Sequence, residues 1–275
     1  MRIALAQIIS SADPRANLAE ITRTTEAAVA QGAELVVFPE AAMCAFGNDL
    51  GAIAEPLDGP WATGVRALAR HLGTTIVAGA FTPGSGGRVR NTLIVAGPTA
   101  DTDDSYDKMH LFDAFGYAES DSVEGGERAV TVTVGDTLVG LATCYDIRFP
   151  SLFVANAAAG AQLSVVCASW GAGPGKVEQW ELLARARAVD TTTVVVAVGQ
   201  GDPASQGGSP SGAPGSAPTG VGHSMVVSPF GVVLHELGAE PELVVVDVDL
   251  ASVDAARGSL PVLANQRFAV GALRG

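Results

Sequence analysis

Short runs of β-branched and other apolar residues alternate along the chain with segments of helical periodicity. Ile3 to Ile8 predicts a first strand, and the Asp13-Pro14 pair that follows supplies an N-cap and a proline for the start of a helix. Apolar side chains then recur at helical spacing from Leu18 to Val29. The run from Leu35 to Phe38 is too short for a helix and is stopped by proline, which predicts a strand buried on both faces.

The same alternation continues through the rest of the chain. Further helices are predicted over residues 61–71, 150–159 and 176–190. Further strands are predicted over residues 74–81, 91–96, 130–134, 137–142, 163–168, 193–198, 225–228 and 243–248. Helices between buried strands, together with hairpins, predict an α/β fold in which helices cover a mixed sheet.

Residues 201–220 consist almost wholly of Gly, Pro, Ser and Ala. Such a segment buries too little apolar surface to offset the entropy of ordering it, so we expect a flexible loop. Strand-like sequence continues on both sides of this loop, which identifies it as an insertion within a domain. Because an α/β chain of 275 residues often forms one domain, we expect residues 1–275 to be a single domain.

Composition narrows the class of protein. Apolar residues make up 48% of the chain and charged residues 16%, which excludes a wholly disordered chain. The net charge of −13 argues against nucleic acid and anionic membranes as partners. No apolar run approaches the roughly 18 residues that span a bilayer. The N-terminal apolar run is also too short for a signal peptide, so we expect a cytoplasmic protein. Because the number of cysteines is odd and a cytoplasm is reducing, we expect free thiols and no disulfides.

Several familiar motifs are absent from the sequence. Residues 171–176 (GAGPGK) resemble a phosphate-binding loop but lack its first glycine and its hydroxyl residue, and they also fail the dinucleotide-binding spacing. The four histidines are dispersed and no C-x-x-C occurs. We therefore expect no metal site and no cofactor.

Two reactive side chains lie directly beyond predicted strands. Glu40 follows the strand at 35–38, and Cys144 follows the strand at 137–142. Ligands of open α/β sheets bind outside the carboxyl ends of the strands, so both side chains could lie in one crevice. A thiol can act there as a nucleophile, a partly buried carboxylate as its base, and Lys108 as the cation for a developing negative charge.

The residues alone leave other interpretations open. A cysteine after a strand is most often a small buried apolar residue. Glu40 could equally be a helix cap or a surface residue, and Lys108 could lie in a solvated loop among acidic neighbours. A pair of Cys144 with His110 or His223 is also compatible with the sequence.

Taken together and in order, six segments resemble the nitrilase superfamily of carbon–nitrogen hydrolases. These segments are residues 2–7 (RIALAQ), 32–40 (GAELVVFPE), 106–112 (YDKMHLF), 144–150 (CYDIRFP), 182–188 (LLARARA) and 222–225 (GHSM). The resemblance implies a four-layer α-β-β-α sandwich whose subunits assemble into a dimer or a larger homo-oligomer.

The resemblance also implies roles for individual residues. Glu40 would be the general base, Lys108 the cation and Cys144 the nucleophile that forms a thioester. Glu119 matches the second glutamate of the family, with Glu124 as the alternative. The backbone N–H of Tyr145 would bind the oxyanion together with Lys108.

Residues near the site bear on the substrate. Trp170 and Phe115 are candidate pocket walls, although core packing explains them equally well. Asp146 and Arg148 are interpreted as an internal ion pair that fixes the turn after the nucleophile.

The segment at 111–119 is most similar to amidase branches such as the ω-amidases, which cleave short amides of 2-oxo acids. We therefore expect a small-molecule amide substrate that yields a carboxylic acid and ammonia. Nitrilase or N-carbamoyl amino acid hydrolase activity on the same three residues is the alternative, and a catalytically silent metabolite-binding protein is the alternative of another class.

Overall fold

The structure, a computed structural model, describes residues 1–208 and 217–267. Its strands in chain order are β1 (Arg2–Gln7), β2 (Leu35–Val37), β3 (Thr75–Pro83), β4 (Val89–Ala96), β5 (Asp104–Asp107), β6 (Asp113–Ala114), β7 (Tyr117–Ala118), β8 (Thr131–Val134), β9 (Thr137–Thr143), β10 (Leu163–Ala168), β11 (Val194–Gly199), β12 (Met225–Val227), β13 (Val233–Glu236) and β14 (Glu242–Asp247). Its α-helices are α1 (Pro14–Val29), α2 (Leu50–Ile53), α3 (Pro60–Leu72), α4 (Pro150–Ala158), α5 (Lys176–Thr191) and α6 (Ala251–Ser259).

The strands form two six-stranded mixed sheets and one two-stranded hairpin. The first sheet has the order β14-β1-β2-β3-β4-β5, and the second has the order β13-β12-β11-β10-β9-β8. Strands β1, β2 and β3 are parallel, as are β9, β10 and β11, and the outer strands of both sheets run antiparallel. Strands β6 and β7 pair with each other.

The sheets pack face to face between two layers of helices. In β1, Ile3 and Leu5 belong to an apolar cluster that also contains side chains of the second sheet. Ala4 and Ala6 belong to a different cluster, which contains Ile21 of α1 together with side chains of α3. This alternation places one face of the strand against each neighbouring layer. Helices α4 and α5 cover the second sheet. The predicted α-β-β-α sandwich is therefore confirmed.

Local signals place the element boundaries close to the predicted ones. The Asp13 side chain accepts a hydrogen bond from the Arg15 N–H, and Pro14 is the first helical residue of α1. The sequence missed the strands β5, β6, β7 and β13 and the helices α2 and α6. A solvated loop was the alternative interpretation for the acidic segment at β5, but residues 104–107 form an edge strand against β4, where Thr92 Oγ1 donates to Asp107 Oδ1 at 2.6 Å.

The glycine-rich segment is only partly described. Residues 209–216 of the predicted 201–220 loop lie outside the described residues. Before them, Pro203–Gln206 forms a 3₁₀ turn capped by Asp202. Within residues 1–208 and 217–267, no helix has the length and apolarity needed to cross a membrane.

Candidate active site

The predicted catalytic side chains lie together, each just beyond the end of a strand. Glu40 lies three residues beyond β2, Lys108 directly follows β5, and Cys144 directly follows β9. All three line one cavity of about 380 Å³, a volume that includes open solvent at its mouth. Ser169, directly beyond β10, lines it as well. The cavity thus lies at the carboxyl ends of parallel strands from both sheets, where α/β folds bind ligands.

Glu40 is fully buried and its two carboxylate oxygens have separate partners. Oε1 accepts from Lys108 Nζ at 3.0 Å and from Asn91 Nδ2 at 2.7 Å. Oε2 accepts from the Ser169 backbone N–H at 2.7 Å. A carboxylate with three donors has a fixed orientation, which a general base requires.

The backbone of Glu40 is held by a close approach of β3. A Cβ atom added to Gly79 would lie 2.5 Å from the Ala41 backbone nitrogen and 2.7 Å from Glu40 Cα. In the space that glycine leaves, Gly79 N–H donates to Pro39 O at 3.2 Å, and Met43 N–H donates to Gly79 O at 2.9 Å. The absence of a side chain at position 79 therefore sets the path of the chain at Glu40.

Lys108 lies between two carboxylates. Its Nζ is 2.8 and 3.0 Å from the two oxygens of Glu119, in addition to its contact with Glu40. Glu119 is also buried and accepts from the Phe112 N–H at 2.7 Å. Glu124, the alternative to Glu119, lies elsewhere and binds Arg90 and the Ser85 N–H.

Cys144 begins the 3₁₀ turn Cys144–Arg148 with a left-handed backbone, at φ +47°. Such a φ is uncommon for a residue with a Cβ and persists only where the surroundings enforce it, often at functional sites. Cys144 is 6% exposed, and its Sγ lies 3.8 Å from Ser169 O. Tyr145 is the next residue of the turn, and its ring packs edge-on against Phe112 and Phe149.

Burial governs the electrostatics of the three groups. Burial and, less strongly, Glu119 raise the pKa of Glu40, against the opposing effect of Lys108. Burial would lower the pKa of Lys108, but the Glu119 and Glu40 carboxylates outweigh it and raise that pKa well above its ordinary value. Burial and the Glu40 carboxylate raise the pKa of the Cys144 thiol well above its ordinary value. The resting thiol is therefore protonated and needs a base to become a nucleophile.

The interpretation of Asp146 and Arg148 as an ion pair is wrong. The buried Asp146 accepts from Tyr106 Oη at 2.6 Å and from the His110 N–H at 3.0 Å, and it pairs with His110 Nδ1 at 2.7 Å. It thereby ties the lysine segment to the turn that carries the thiol. Arg148 instead donates to Gln179 Oε1 at 2.7 Å and lies 5.0 Å from the centre of the Trp170 ring.

The walls of the cavity are mainly aromatic. Among the described residues the aromatic side chains are Phe46, Phe112, Tyr117 and Trp170, and Pro218 and the cations Arg148 and Lys176 also line the cavity. Trp170 is thus placed as expected for a wall residue.

Phe115 is not placed in the cavity wall. Its side chain is 72% exposed, with Lys176 Nζ 4.1 Å from the ring centre, and it is absent from the lining. The two histidines considered as bases are also elsewhere, because His110 stacks on Phe149 and His223 pairs with Glu236.

Sequence reasoning missed several contributors to the site, among them Asn91, Ser169, Phe46 and Lys176. Asn91 stands between Arg90 and Thr92 in the polar first half of β4, so its sequence context does not single it out. Ser169 contributes through its backbone, which side-chain chemistry does not reveal. Within the described part of the chain, no group of three or more His, Cys, Asp or Glu side chains could hold a metal ion.

Comparisons with known proteins agree with this geometry. The family model described as carbon–nitrogen hydrolase matches residues 2–258. A hydrolase of Mycobacterium tuberculosis is 54% identical over 268 residues, which cover 97% of this chain and 95% of the relative. The deaminated glutathione amidase of Escherichia coli O157:H7 is 34% identical over 249 residues, which cover 88% of this chain and 89% of that protein.

A solved structure is similar over nearly the same extent. A mutant of the amidase from Nesterenkonia sp. AN1 carries acrylamide added to its active-site cysteine. It superposes with a TM-score of 0.77 at 28% identity, with 95% of this chain and 98% of that chain covered.

Proposed function

This chain belongs to the carbon–nitrogen hydrolase family, and on that premise we propose that it is a thiol-dependent amidase acting on a small carboxamide. The observation that carries the proposal is the shared cavity in which Cys144 meets the buried Glu40 and Lys108. A protonated thiol beside a carboxylate of raised pKa is suited to proton transfer near neutral pH.

The proposed reaction has two halves. Glu40 takes the thiol proton, Sγ attacks the amide carbon, and the carbonyl electrons move onto its oxygen. Lys108 and the Tyr145 N–H stabilise that oxyanion. The C–N bond then breaks, the leaving nitrogen takes the proton from Glu40, and a thioester remains. In the second half Glu40 takes a proton from water, and the hydroxide attacks the thioester. The C–S bond then breaks to release the acid, and Sγ takes the proton back from Glu40, which restores the thiol and the base.

Glu119 keeps Lys108 in the state this reaction needs. A buried lysine without a partner would tend to lose its proton and with it its ability to stabilise an oxyanion. The two contacts from Glu119 hold the ammonium charged and fix its position. Glu119 is therefore proposed as a supporting residue and not as a second base.

Two cations at the cavity favour a substrate that carries a carboxylate. Arg148 and Lys176 both line the cavity, and Arg148 contributes to a lowered pKa of Lys176, after burial. Among the ion pairs of the described residues, none involves either cation. In a chain of net charge −13, an anionic group of the substrate is the partner that these cations lack. This supports an ω-amidase-like substrate, with the amide at one end and a carboxylate at the other.

The test is hydrolysis of a substrate panel by the wild type, Cys144→Ala and Cys44→Ala. The panel contains ω-amides of short 2-oxo acids, neutral short amides, nitriles, N-carbamoyl amino acids and deaminated glutathione. Both ammonia and amine release are followed, because deaminated glutathione has no primary carboxamide and would release an amine. Cys44 is a buried free thiol outside the cavity lining, so Cys44→Ala is the matched control.

The outcomes separate the candidate functions. Hydrolysis of an amide that Cys144→Ala abolishes and Cys44→Ala retains supports the proposal. Preference for nitriles or N-carbamoyl amino acids would replace it with the corresponding alternative. Hydrolysis that survives in Cys144→Ala would refute the thiol mechanism. No turnover, combined with a thermal shift on adding a panel compound, would favour the catalytically silent binding protein.

We also propose that a second copy of the chain covers an apolar patch on α5 and β13. Leu182 and Val189 on α5 are exposed, as are Phe230, Val232 and Leu234 in and before β13. The two elements are joined where Arg185 Nε donates to Gly231 O at 2.9 Å. Contiguous exposed apolar side chains are typical of interfaces, and the family resemblance implies a dimer. Light scattering should give twice the chain mass for the wild type and the monomer mass for Phe230→Ser with Leu182→Ser.

A further inference from the structure

One buried side chain touches both carboxylates of the candidate site. Asn91 is the third residue of β4 and is fully buried. Its Nδ2 donates to Glu40 Oε1 at 2.7 Å and to Glu119 Oε1 at 3.1 Å. Its backbone oxygen accepts from the Lys108 N–H at 2.9 Å. A single residue is therefore bonded to three charged members of the site.

The orientation of this amide follows from its partners. Both contacts are to carboxylate oxygens, which accept hydrogen bonds, so the amide nitrogen must face them. The opposite atom, Asn91 Oδ1, is buried without a hydrogen-bond partner among the described residues. Most buried polar atoms in proteins are partnered. Because Oδ1 is left without a partner, we infer that the orientation of the amide is set by the two hydrogen bonds that its nitrogen donates.

We infer that Asn91 is a positioning residue that holds the Glu40 and Glu119 carboxylates at a fixed separation around Lys108. Two carboxylates this close repel each other, and repulsion of that kind favours a proton on one of them. An N–H donated to each charged oxygen opposes that tendency. Asn91 thereby keeps Glu40 ionised and able to accept the thiol proton.

Other groups around Glu40 also affect its charge. Lys108 and the Ser169 N–H favour the ionised form, while Glu119 opposes it. Cys144 and Cys167 lie close enough for the Glu40 carboxylate to raise their pKa values, and the same holds for Tyr117, although burial is the largest cause for all three. The expected effect of Asn91 is therefore a shift in the pH response of the site and not its abolition.

The inference rests on the proposed function, and two variants of Asn91 test it. Asn91→Leu removes both donors at similar volume, and Asn91→Asp keeps the shape but replaces the donor with an acidic group. Asn156→Leu is the matched control, because Asn156 is another buried asparagine with an orphaned Oδ1, and its Nδ2 bonds the backbone oxygen of Leu141. Melting temperatures report how far each variant is destabilised.

The first measurement is the pH profile of kcat/KM. We expect the acid limb of both Asn91 variants to move upward by roughly one pH unit, as the loss of a hydrogen bond to a charged group would give. At pH values below the acid limb of the wild type, we expect kcat to fall about tenfold with KM nearly unchanged. Asn156→Leu should lower the melting temperature and leave the acid limb in place. An acid limb of wild-type position in folded Asn91→Asp would overturn the inference.

A second measurement does not depend on turnover. The rate of Cys144 alkylation by iodoacetamide, located by mass spectrometry, is followed from pH 5 to pH 9. Its pH dependence should move upward in both Asn91 variants and stay in place in Asn156→Leu. If the wild type hydrolyses no amide, this readout still tests Asn91. If hydrolysis is intact but alkylation is unchanged in the variants, the inference about Asn91 fails while the proposed function stands.

Discussion

Glu40 accepts a 2.7 Å hydrogen bond from the backbone N–H of Ser169, a residue 129 positions further along the chain. Glu40 follows β2 of the first sheet, and Ser169 follows β10 of the second. The orientation of this carboxylate therefore depends on how the two sheets pack. A side chain held by a backbone donor is also difficult to disturb by mutating that donor, so the dependence must be tested through the residues around it.

The raised pKa of Glu40 sets the acid limit of activity. Because the base must be ionised to accept the thiol proton, kcat/KM should fall tenfold per pH unit below that pKa. Burial raises the pKa, so the fall should begin above the ordinary glutamate value of about 4.3. A profile of kcat/KM from pH 4 to pH 9 measures this limit. Full activity retained below pH 4 would contradict the assignment of Glu40 as the base. The substitution Glu40→Gln should lower kcat/KM by a factor of about 100 or more.

Glu119→Gln should damage the site, whereas Glu124→Gln should not. Burial lowers the pKa of Lys108, and the Glu119 charge opposes that effect. Without this charge the pKa of Lys108 should fall, so the basic limb of the kcat/KM profile should move to lower pH. The lost contacts should lower the free energy of unfolding by about 1.5–3 kcal/mol. Glu124 binds Arg90 outside the cavity lining, and its replacement should leave the pH profile unchanged. Equal effects of the two substitutions would count against a special role for Glu119.

Gly79→Ala should disturb the site through the backbone. The added methyl would lie 2.5 Å from the Ala41 nitrogen, so β3 or the Glu40 segment must move. We expect a loss of about 1–3 kcal/mol in unfolding free energy from overpacking. A displacement near 1 Å at the base can lower kcat by about 100-fold. Urea unfolding and kcat measure the two effects.

The matched control is Gly258→Ala. Gly258 lies in α6, and nothing lies within 4 Å of an added Cβ. Alanine should therefore stabilise that helix by about 0.5–1 kcal/mol and leave kcat unchanged. Wild-type kcat in Gly79→Ala would show that the close approach of β3 does not position the base.

Arg148→Gln should separate charged from neutral substrates. If Arg148 binds a carboxylate, KM for amides with a carboxylate should rise at least tenfold, and kcat/KM for neutral amides should change little. Arg23→Gln, an exposed arginine paired with Glu20 on α1, is the control. An equal loss of kcat/KM for charged and neutral amides would instead indicate that Arg148 stabilises the turn that carries Cys144.

Much of the fold could be predicted from the sequence. The continuous apolar runs of β1 and β2 identify strands, and Asp13-Pro14 marks the start of α1, because these signals depend on neighbouring residues. The ordered motifs around Glu40, Lys108 and Cys144 identify the family. The acidic strand β5 was missed because its pairing with β4 outweighs the low strand propensity of its aspartates.

The residues that carry the chemistry, Glu40, Lys108 and Cys144, could be identified from the order of the motifs along the chain. The tertiary structure sets which side chains become partners. It paired Asp146 with His110 instead of Arg148, placed Phe115 outside the cavity, and brought Asn91 against Glu40 and Glu119. The physical reason is the separation along the chain of the residues that interact. Periodicity and capping depend on residues a few positions apart, whereas these contacts join segments tens of residues apart that meet only when strands pair within a sheet and the two sheets pack.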